Sequence, residues 1–140
     1  MIALDTNALP RYLVDDDEAP AQCSLVRADV SAALHAGETF LPTVALVESV
    51  WVLTRRVKVS RADVIAVLRD FIAVPGVTLE QPGTISRALA AWEKGPAGFA
   101  DYVQLDVAMG AGATHLVTFD GDLQKSAGTR APGKGNPSGV

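Results

Sequence analysis

The sequence predicts an α/β protein, a three-layer α/β/α sandwich with a parallel central sheet. Three observations favour this fold class: short apolar runs alternate with helical periodicity, the opening run ends in an aspartate, and 49% of the residues are apolar. Parallel strands joined by helices are covered on both faces, which requires such a high apolar content. The length of 140 residues suits one domain. We expect residues 1–125 to form it, and residues 126–140, rich in Gly, Pro, Lys and Ser, to form a flexible tail.

The opening run Met1–Leu4 is expected to be a central strand, with Asp5 at its carboxyl end. Open α/β sheets bind their ligands at that end of the strands. A short helical turn over residues 8–14 follows. The acidic run 15–18 is expected to be a solvated cap of the next helix, because acids favour helix amino termini. That helix should end near Gly37.

The middle of the chain continues the alternation. A brief strand over residues 39–42 leads to Thr43, which can cap a helix over residues 44–56. The next helix opens at Ser60–Asp63, which resembles a capping box, and it carries apolar residues at helical spacing. The remaining predicted elements are a strand at 77–79, a helix at 84–94, a loop at 95–98, a helix at 100–113 and a strand at 115–119.

Composition narrows the function only in part. The single cysteine, Cys23, excludes an internal disulfide framework and fits the cytoplasm, and no apolar run is long enough for a membrane span. A net charge of −4 argues against nucleic acid as a partner. This objection weakens if clustered acids hold divalent cations, because a metal ion inverts the local charge.

Four carboxylates are predicted to lie close together in the fold. Asp5 and Asp120 each follow a strand, and Thr118 places a hydroxyl beside Asp120. Glu48 is the one charged residue of an apolar helical stretch, at helical spacing from Val44 and Trp51, so we expect it on a buried stripe. Asp101 opens a late helix, where capping alone would also explain it. Asp106 is expected to be solvated and Asp122 to cap a short helix.

Carboxylates crowded into one cleft repel each other unless cations neutralise them. Oxygen ligands suit Mg²⁺ or Mn²⁺ rather than zinc, and such ions can activate a water against a phosphodiester. The sequence contains no motif for a serine, cysteine or histidine nucleophile and no phosphate-binding loop. Basic residues Arg11, Arg55, Arg56, Lys58 and Arg61 are candidate phosphate contacts, although solvated side chains are the favoured interpretation.

The order and spacing of four short motifs resemble the PIN domain, and most of all the VapC-type ribonuclease toxins. These motifs are Asp5-Thr6-Asn7, Val47-Glu48-Ser49, Ala100-Asp101 and Thr118-Phe119-Asp120. The resemblance covers residues 1–123. It implies RNA cleavage dependent on Mg²⁺ or Mn²⁺, a homodimer, and inhibition by a cognate antitoxin protein.

The resemblance also implies residue roles. Asp5 and Asp101 would be the principal metal ligands, Glu48 and Asp120 would complete the acidic set, and Thr118 and Asn7 would orient a ligand or water. The family's short final strand is expected to be missing or altered here, because the chain becomes rich in Gly and Pro from Lys125.

Two other functions stay open at this point. The first is an aspartyl-phosphate phosphatase of the haloacid-dehalogenase type, which shares an acid after the first strand but needs a second aspartate where this chain has Asn7. The second is a receiver-type signalling domain phosphorylated on aspartate. It expects a lysine after a late strand, and Lys125 is the nearest candidate.

Overall fold

The computed structural model describes residues 1–14 and 19–133, and the chain divides into two compact units after Pro82. The acidic run 15–18 and the end of the expected tail, residues 134–140, lie outside the described residues. Within the described part of the chain, no helix combines the length and the apolar character needed to cross a membrane.

The first unit alternates strands and helices, as the sequence predicts. Its elements are β1 (Ile2–Ala3), α1 (Ala8–Leu13), α2 (Pro20–Ala36), β2 (Thr39–Leu41), α3 (Thr43–Trp51), a π-helical segment (Val52–Arg56), α4 (Arg61–Ile72) and β3 (Val77–Leu79). All its strand pairs are parallel. The parallel α/β class is therefore confirmed.

The position of the first strand differs from the prediction. In the sheet of the first unit β2 lies between β1 and β3, with Ile2 opposite Thr39 and Thr39 opposite Val77. Both residues of β1 are exposed, whereas Thr39 and Leu41 of β2 are fully buried. The expectation that the opening strand is central is wrong for this sheet, because an apolar run predicts a strand but does not fix its neighbours.

The two helix caps that the sequence predicts in the first unit have different outcomes. The Ser60 hydroxyl accepts a hydrogen bond from the Asp63 backbone N–H at 3.2 Å, so the predicted cap of α4 is confirmed. The predicted cap by Thr43 is wrong, because no side-chain cap forms at the start of α3. The Thr43 backbone N–H donates instead to the Glu80 carboxylate at 2.9 Å, from the end of β3.

The helix that the sequence predicts over residues 44–56 changes its winding partway. It is α-helical to Trp51 and π-helical from Val52 to Arg56, with the Val57 N–H bonded to the Val52 carbonyl at 3.1 Å. The Thr54 hydroxyl donates to the Val50 carbonyl at 2.9 Å. Such hydroxyl-to-carbonyl bonds compete with the backbone ladder and bend helices.

The second unit comprises α5 (Pro82–Lys94), α6 (Phe99–Gly110), β4 (Leu116–Val117), a 3₁₀ turn (Leu123–Lys125) and β5 (Thr129–Arg130). Strands β4 and β5 are parallel, with Leu116 opposite Thr129. A final strand of two residues therefore forms, so the expectation that it is missing is wrong. This strand lies inside the tail that was expected to be flexible from residue 126. The domain boundary after residue 125 stays a prediction.

Candidate metal centre

Asp5 lies in the turn between β1 and α1. Leu4 and Leu9, 4% and 0% exposed, anchor the two ends of this turn in the core. Asp5 itself is exposed, and its Oδ1 accepts hydrogen bonds from the backbone N–H groups of Asn7 at 2.9 Å and Ala8 at 2.8 Å. The other oxygen, Oδ2, bonds to none of the described residues. The turn therefore orients the carboxylate and leaves one oxygen open to a ligand.

Glu48 is exposed on α3, as are Val44 and Trp51 at 63% and 58%. The predicted buried stripe at this position is wrong, because α3 buries a different face, formed by Ala45, Leu46, Ser49 and Val50. The Thr6 hydroxyl donates to Glu48 Oε2 at 2.9 Å. Because Thr6 follows Asp5 directly, this bond places Glu48 beside the turn that carries Asp5.

Asp101 lies in the first turn of α6 and is half-buried. Its Oδ2 accepts a hydrogen bond from the Gly98 backbone N–H at 3.1 Å, so it closes the start of the helix onto the preceding loop. The capping role that the sequence left open is thus confirmed. Its second oxygen, Oδ1, has no hydrogen-bond partner within residues 1–14 and 19–133.

Asp120 follows β4 in the second unit. Its Oδ1 accepts hydrogen bonds from the backbone N–H groups of Asp122 at 2.9 Å and Leu123 at 3.1 Å. The Thr118 hydroxyl accepts a hydrogen bond from the Asp120 backbone N–H at 3.0 Å. The prediction that this hydroxyl lies beside Asp120 is therefore confirmed. Asp122 makes no side-chain cap and lies 3.7 Å from the Lys125 ammonium group, so the cap expected of Asp122 is made by Asp120.

The strand ends at Asp5 and Asp120 share one local motif. In each, a carboxylate oxygen accepts the N–H groups two and three residues further along the chain. Short aspartate side chains form this turn readily, because they reach backbone donors just ahead of them. A buried leucine then fixes the far side of each turn, Leu9 in one and Leu123 in the other.

The four predicted ligands therefore share one pattern of hydrogen bonds. In each, one oxygen accepts from a nearby donor, and the other has no partner in the described part of the chain. None of the four forms an ion pair with a described residue. Hydrogen bonds that orient carboxylates while leaving an oxygen open are typical of metal ligands.

Asn7 contributes to its turn through its backbone rather than its side chain. Its N–H donates to Asp5, and its carbonyl accepts from Arg11 Nη1 at 2.7 Å. The side-chain amide of Asn7 is exposed and makes no hydrogen bond to the described residues. It is thus open to a water or ligand near Asp5, as its predicted role requires.

Asp106 differs from this set and from its prediction. It accepts hydrogen bonds from Thr84 Oγ1 at 2.7 Å and from Arg87 Nε and Nη2 at 2.7 and 3.0 Å. The hydrogen bond from Arg87 lowers the pKa of Asp106 below its usual value. The expectation that Asp106 is solvated is wrong: it joins α6 to α5. Its charge is already compensated, so it is a structural carboxylate.

The donor set fits Mg²⁺ or Mn²⁺. The predicted site residues offer carboxylate, hydroxyl and amide oxygens, and no His or Cys is among them. Each unit provides two of the four predicted carboxylates. Within neither unit do the described residues bring three or more His, Cys, Asp or Glu side chains into a group able to hold a metal ion.

Comparisons with known proteins bear on the family. The family model described as the PIN domain matches residues 2–128. No curated protein matches the chain significantly. Among solved structures, the chain is similar to the Mycobacterium tuberculosis VapC20 toxin, described as cleaving the sarcin–ricin loop, with 17% identity and a TM-score of 0.41 over 91% of this chain and 95% of that one. This likeness is too distant to bear on activity.

Proposed function

Because this chain belongs to the PIN-domain family, we propose that it is a metal-dependent endoribonuclease that acts as the toxin of a toxin–antitoxin pair. The observation that carries the proposal is the shared state of Asp5, Glu48, Asp101 and Asp120. Each is held by one oxygen and keeps the other open. In this proposal all four carboxylates serve as metal ligands.

The cofactor in this proposal is Mg²⁺ or Mn²⁺. When bound, such an ion lowers the pKa of a water and stabilises the leaving oxygen of a phosphodiester. Asp5 and Asp101 are the principal ligands, with Glu48 and Asp120 completing the set. The lack of a basic partner for any of them among the described residues supports this assignment, since unpaired acids gain most from a cation.

The other residues of the chain position these ligands and the substrate. The Thr6 hydroxyl holds Glu48 Oε2 and so sets the direction of its free oxygen. The side-chain amide of Asn7 and the hydroxyl of Thr118 orient a water or a phosphate oxygen through hydrogen bonds. No side chain needs to form a covalent intermediate, because a water is the nucleophile.

The proposal includes RNA as substrate, an antitoxin protein and a second copy of the chain as partners, and the cytoplasm as location. The exposed apolar side chains of α3 support a protein partner, because Val44 and Trp51 are 63% and 58% exposed beside Glu48. An antitoxin covering this surface would also block access to Glu48. We expect the untagged chain to be toxic to its host unless the antitoxin is co-expressed.

The alternative functions gain no support. A phosphatase of the haloacid-dehalogenase type needs a general acid where Asn7 stands, and a receiver domain needs a free lysine after a late strand. Lys125 instead forms a 3.7 Å ion pair with Asp122. The family match over residues 2–128 also points away from both.

The test is cleavage of total RNA with Mn²⁺, with Mg²⁺ and with excess EDTA, followed by mapping of the cut ends. We expect discrete cuts with metal and none with EDTA. Digestion by the Asp5→Asn variant that persists in EDTA would exclude the mechanism. Turnover of small phosphomonoesters would favour the phosphatase, and stable labelling by acetyl phosphate would favour the receiver.

A further inference from the structure

An open cleft of about 520 Å³ lies in the first unit beside Asp5. This volume is in the range of small-molecule and cofactor sites. Its lining combines polar side chains with apolar ones; the polar residues are Asp5, Asn7, Arg11 and Gln22, and the apolar residues include Leu25 and Val26.

Arg11 is held in place in this cleft by neutral groups. Its Nε donates to Gln22 Oε1 at 2.7 Å, and its Nη1 donates to the Asn7 carbonyl at 2.7 Å. Neither acceptor carries a charge, and no carboxylate of the described residues forms an ion pair with Arg11. These bonds use part of the guanidinium's set of N–H donors, so the remaining donors stay available to a ligand.

This arrangement differs from that of the structural arginine Arg87. There the guanidinium is bonded to a carboxylate, Asp106, which cancels its charge. At Arg11 two neutral acceptors hold the guanidinium, and no carboxylate of the described residues forms an ion pair with it. A fixed guanidinium with free N–H groups recognises phosphate oxygens well, because little conformational entropy remains to be lost on binding.

We propose that this cleft binds the nucleotide adjacent to the scissile phosphate, with Arg11 contacting a phosphate oxygen and Gln22 acting as a positioning residue for Arg11. The inference rests on the proposed function, which makes Asp5 a metal ligand and so places the reacting phosphate next to the cleft. The exposed side chain of Leu25, together with Val26, offers an apolar surface to the ribose or base. In this proposal Arg11 is a phosphate contact, whereas the sequence favoured a solvated side chain.

The test compares four variants of the full chain: Arg11→Ala, Arg11→Lys, Gln22→Ala and, as a matched control, Arg69→Ala. Arg69 is an exposed arginine of α4 in the same unit that does not line the cleft. The probe is a fluorescein-labelled single-stranded oligoribonucleotide of mixed sequence. Its cleavage is followed in Mn²⁺ for kcat and KM, and its binding in Ca²⁺ by fluorescence anisotropy over a range of KCl concentrations.

We expect Arg11→Ala to raise both KM and Kd about tenfold and to reduce the salt slope of log Kd by about one, as loss of one phosphate contact predicts. Arg11→Lys should keep the slope and raise Kd about threefold, because the charge remains but the fork geometry is lost. Gln22→Ala should also raise Kd about threefold at unchanged slope. Arg69→Ala should stay within about twofold of the wild type.

The outcomes separate this inference from the proposed function. If the wild type cleaves RNA with metal while Arg11→Ala behaves like Arg69→Ala, the cleft assignment is overturned and the nuclease stands. A loss confined to kcat, with Kd and salt slope unchanged, also overturns it. If the wild type neither binds nor cleaves RNA, both the cleft assignment and the nuclease function are refuted. Should Arg11→Ala fail to fold by circular dichroism, unchanged Kd values in Arg11→Lys and Gln22→Ala overturn the inference.

Discussion

Replacing Asp5 with Asn and with Ala should separate its chemical role from its structural one. The Asp5 carboxylate accepts two backbone hydrogen bonds through Oδ1, at 2.9 and 2.8 Å, and leaves Oδ2 for a ligand. An asparagine oxygen can accept the same two bonds but is a weak ligand for a hard cation. An alanine provides neither. Both variants should therefore lose RNA cleavage by at least about 100-fold.

The two variants should differ in stability. Removing a side chain that accepts from the first N–H groups of a helix costs about 0.5–2 kcal/mol, and the exposure of Asp5 favours a value near 1 kcal/mol. Asp5→Asn should stay within about 0.5 kcal/mol of the wild type. With a urea slope of about 2 kcal/mol per molar, the alanine variant should unfold at a midpoint about 0.5 M lower.

The assays are cleavage of a labelled RNA in Mn²⁺ and urea unfolding followed by circular dichroism. Asp63→Asn is the matched control, because Asp63 is an exposed acid in the first turn of α4, and this variant should keep full cleavage. Retained cleavage in Asp5→Asn would refute Asp5 as a ligand. Equal stability of the two Asp5 variants would refute the structural role of Oδ1.

Three further predictions concern groups around the site and in the second unit. Thr6→Val should lower cleavage about tenfold and raise the Mn²⁺ concentration needed, because the bond that orients Glu48 is lost. Because Arg87 lowers the pKa of Asp106, the ionised pair stabilises the fold above about pH 4 and this contribution is lost as the pH falls through the lowered pKa. Asp106→Asn should therefore lower Tm at pH 7 much more than at pH 3, and equal losses at both would refute the pairing. Gly95→Ala should lower the free energy of unfolding, measured in a thermal melt, by about 1–3 kcal/mol. The added methyl group would collide with the hydroxyl of Tyr102 in α6.

Local periodicity predicted the elements well, since it reports which residues share a face. In α5, the predicted apolar side of Ile85, Leu89 and Trp92 is buried throughout. On α3 the same reasoning placed Glu48 beside Val44 and Trp51 but assigned that side to the core. Six of the nine residues of α3 are apolar and lie on more than one side of the helix, so the pattern could not identify which face is covered.

Interactions between distant residues were harder to predict. The bonds from Thr84 and Arg87 to Asp106 depend on how α5 packs against α6, which no local pattern encodes. The Thr6–Glu48 bond likewise joins residues far apart in the chain. The hydrogen bonds of Asp5 and Asp120 could have been predicted from the sequence. An aspartate followed by a short polar turn often accepts hydrogen bonds from backbone N–H groups just after it in the chain.

The π-helical segment at Val52–Arg56 has a consequence for how this chain can change. Its wider coil contains an extra residue compared with an α-helical turn, and each residue of an α-helix advances the side-chain direction by about 100°. Deleting one amino acid there would restore regular winding, and because the wider coil had absorbed that residue, Arg55 and Arg56 would keep nearly their present direction while α3 before Trp51 kept its packing. A one-residue deletion at this point would therefore leave the two cations in place at little cost to folding.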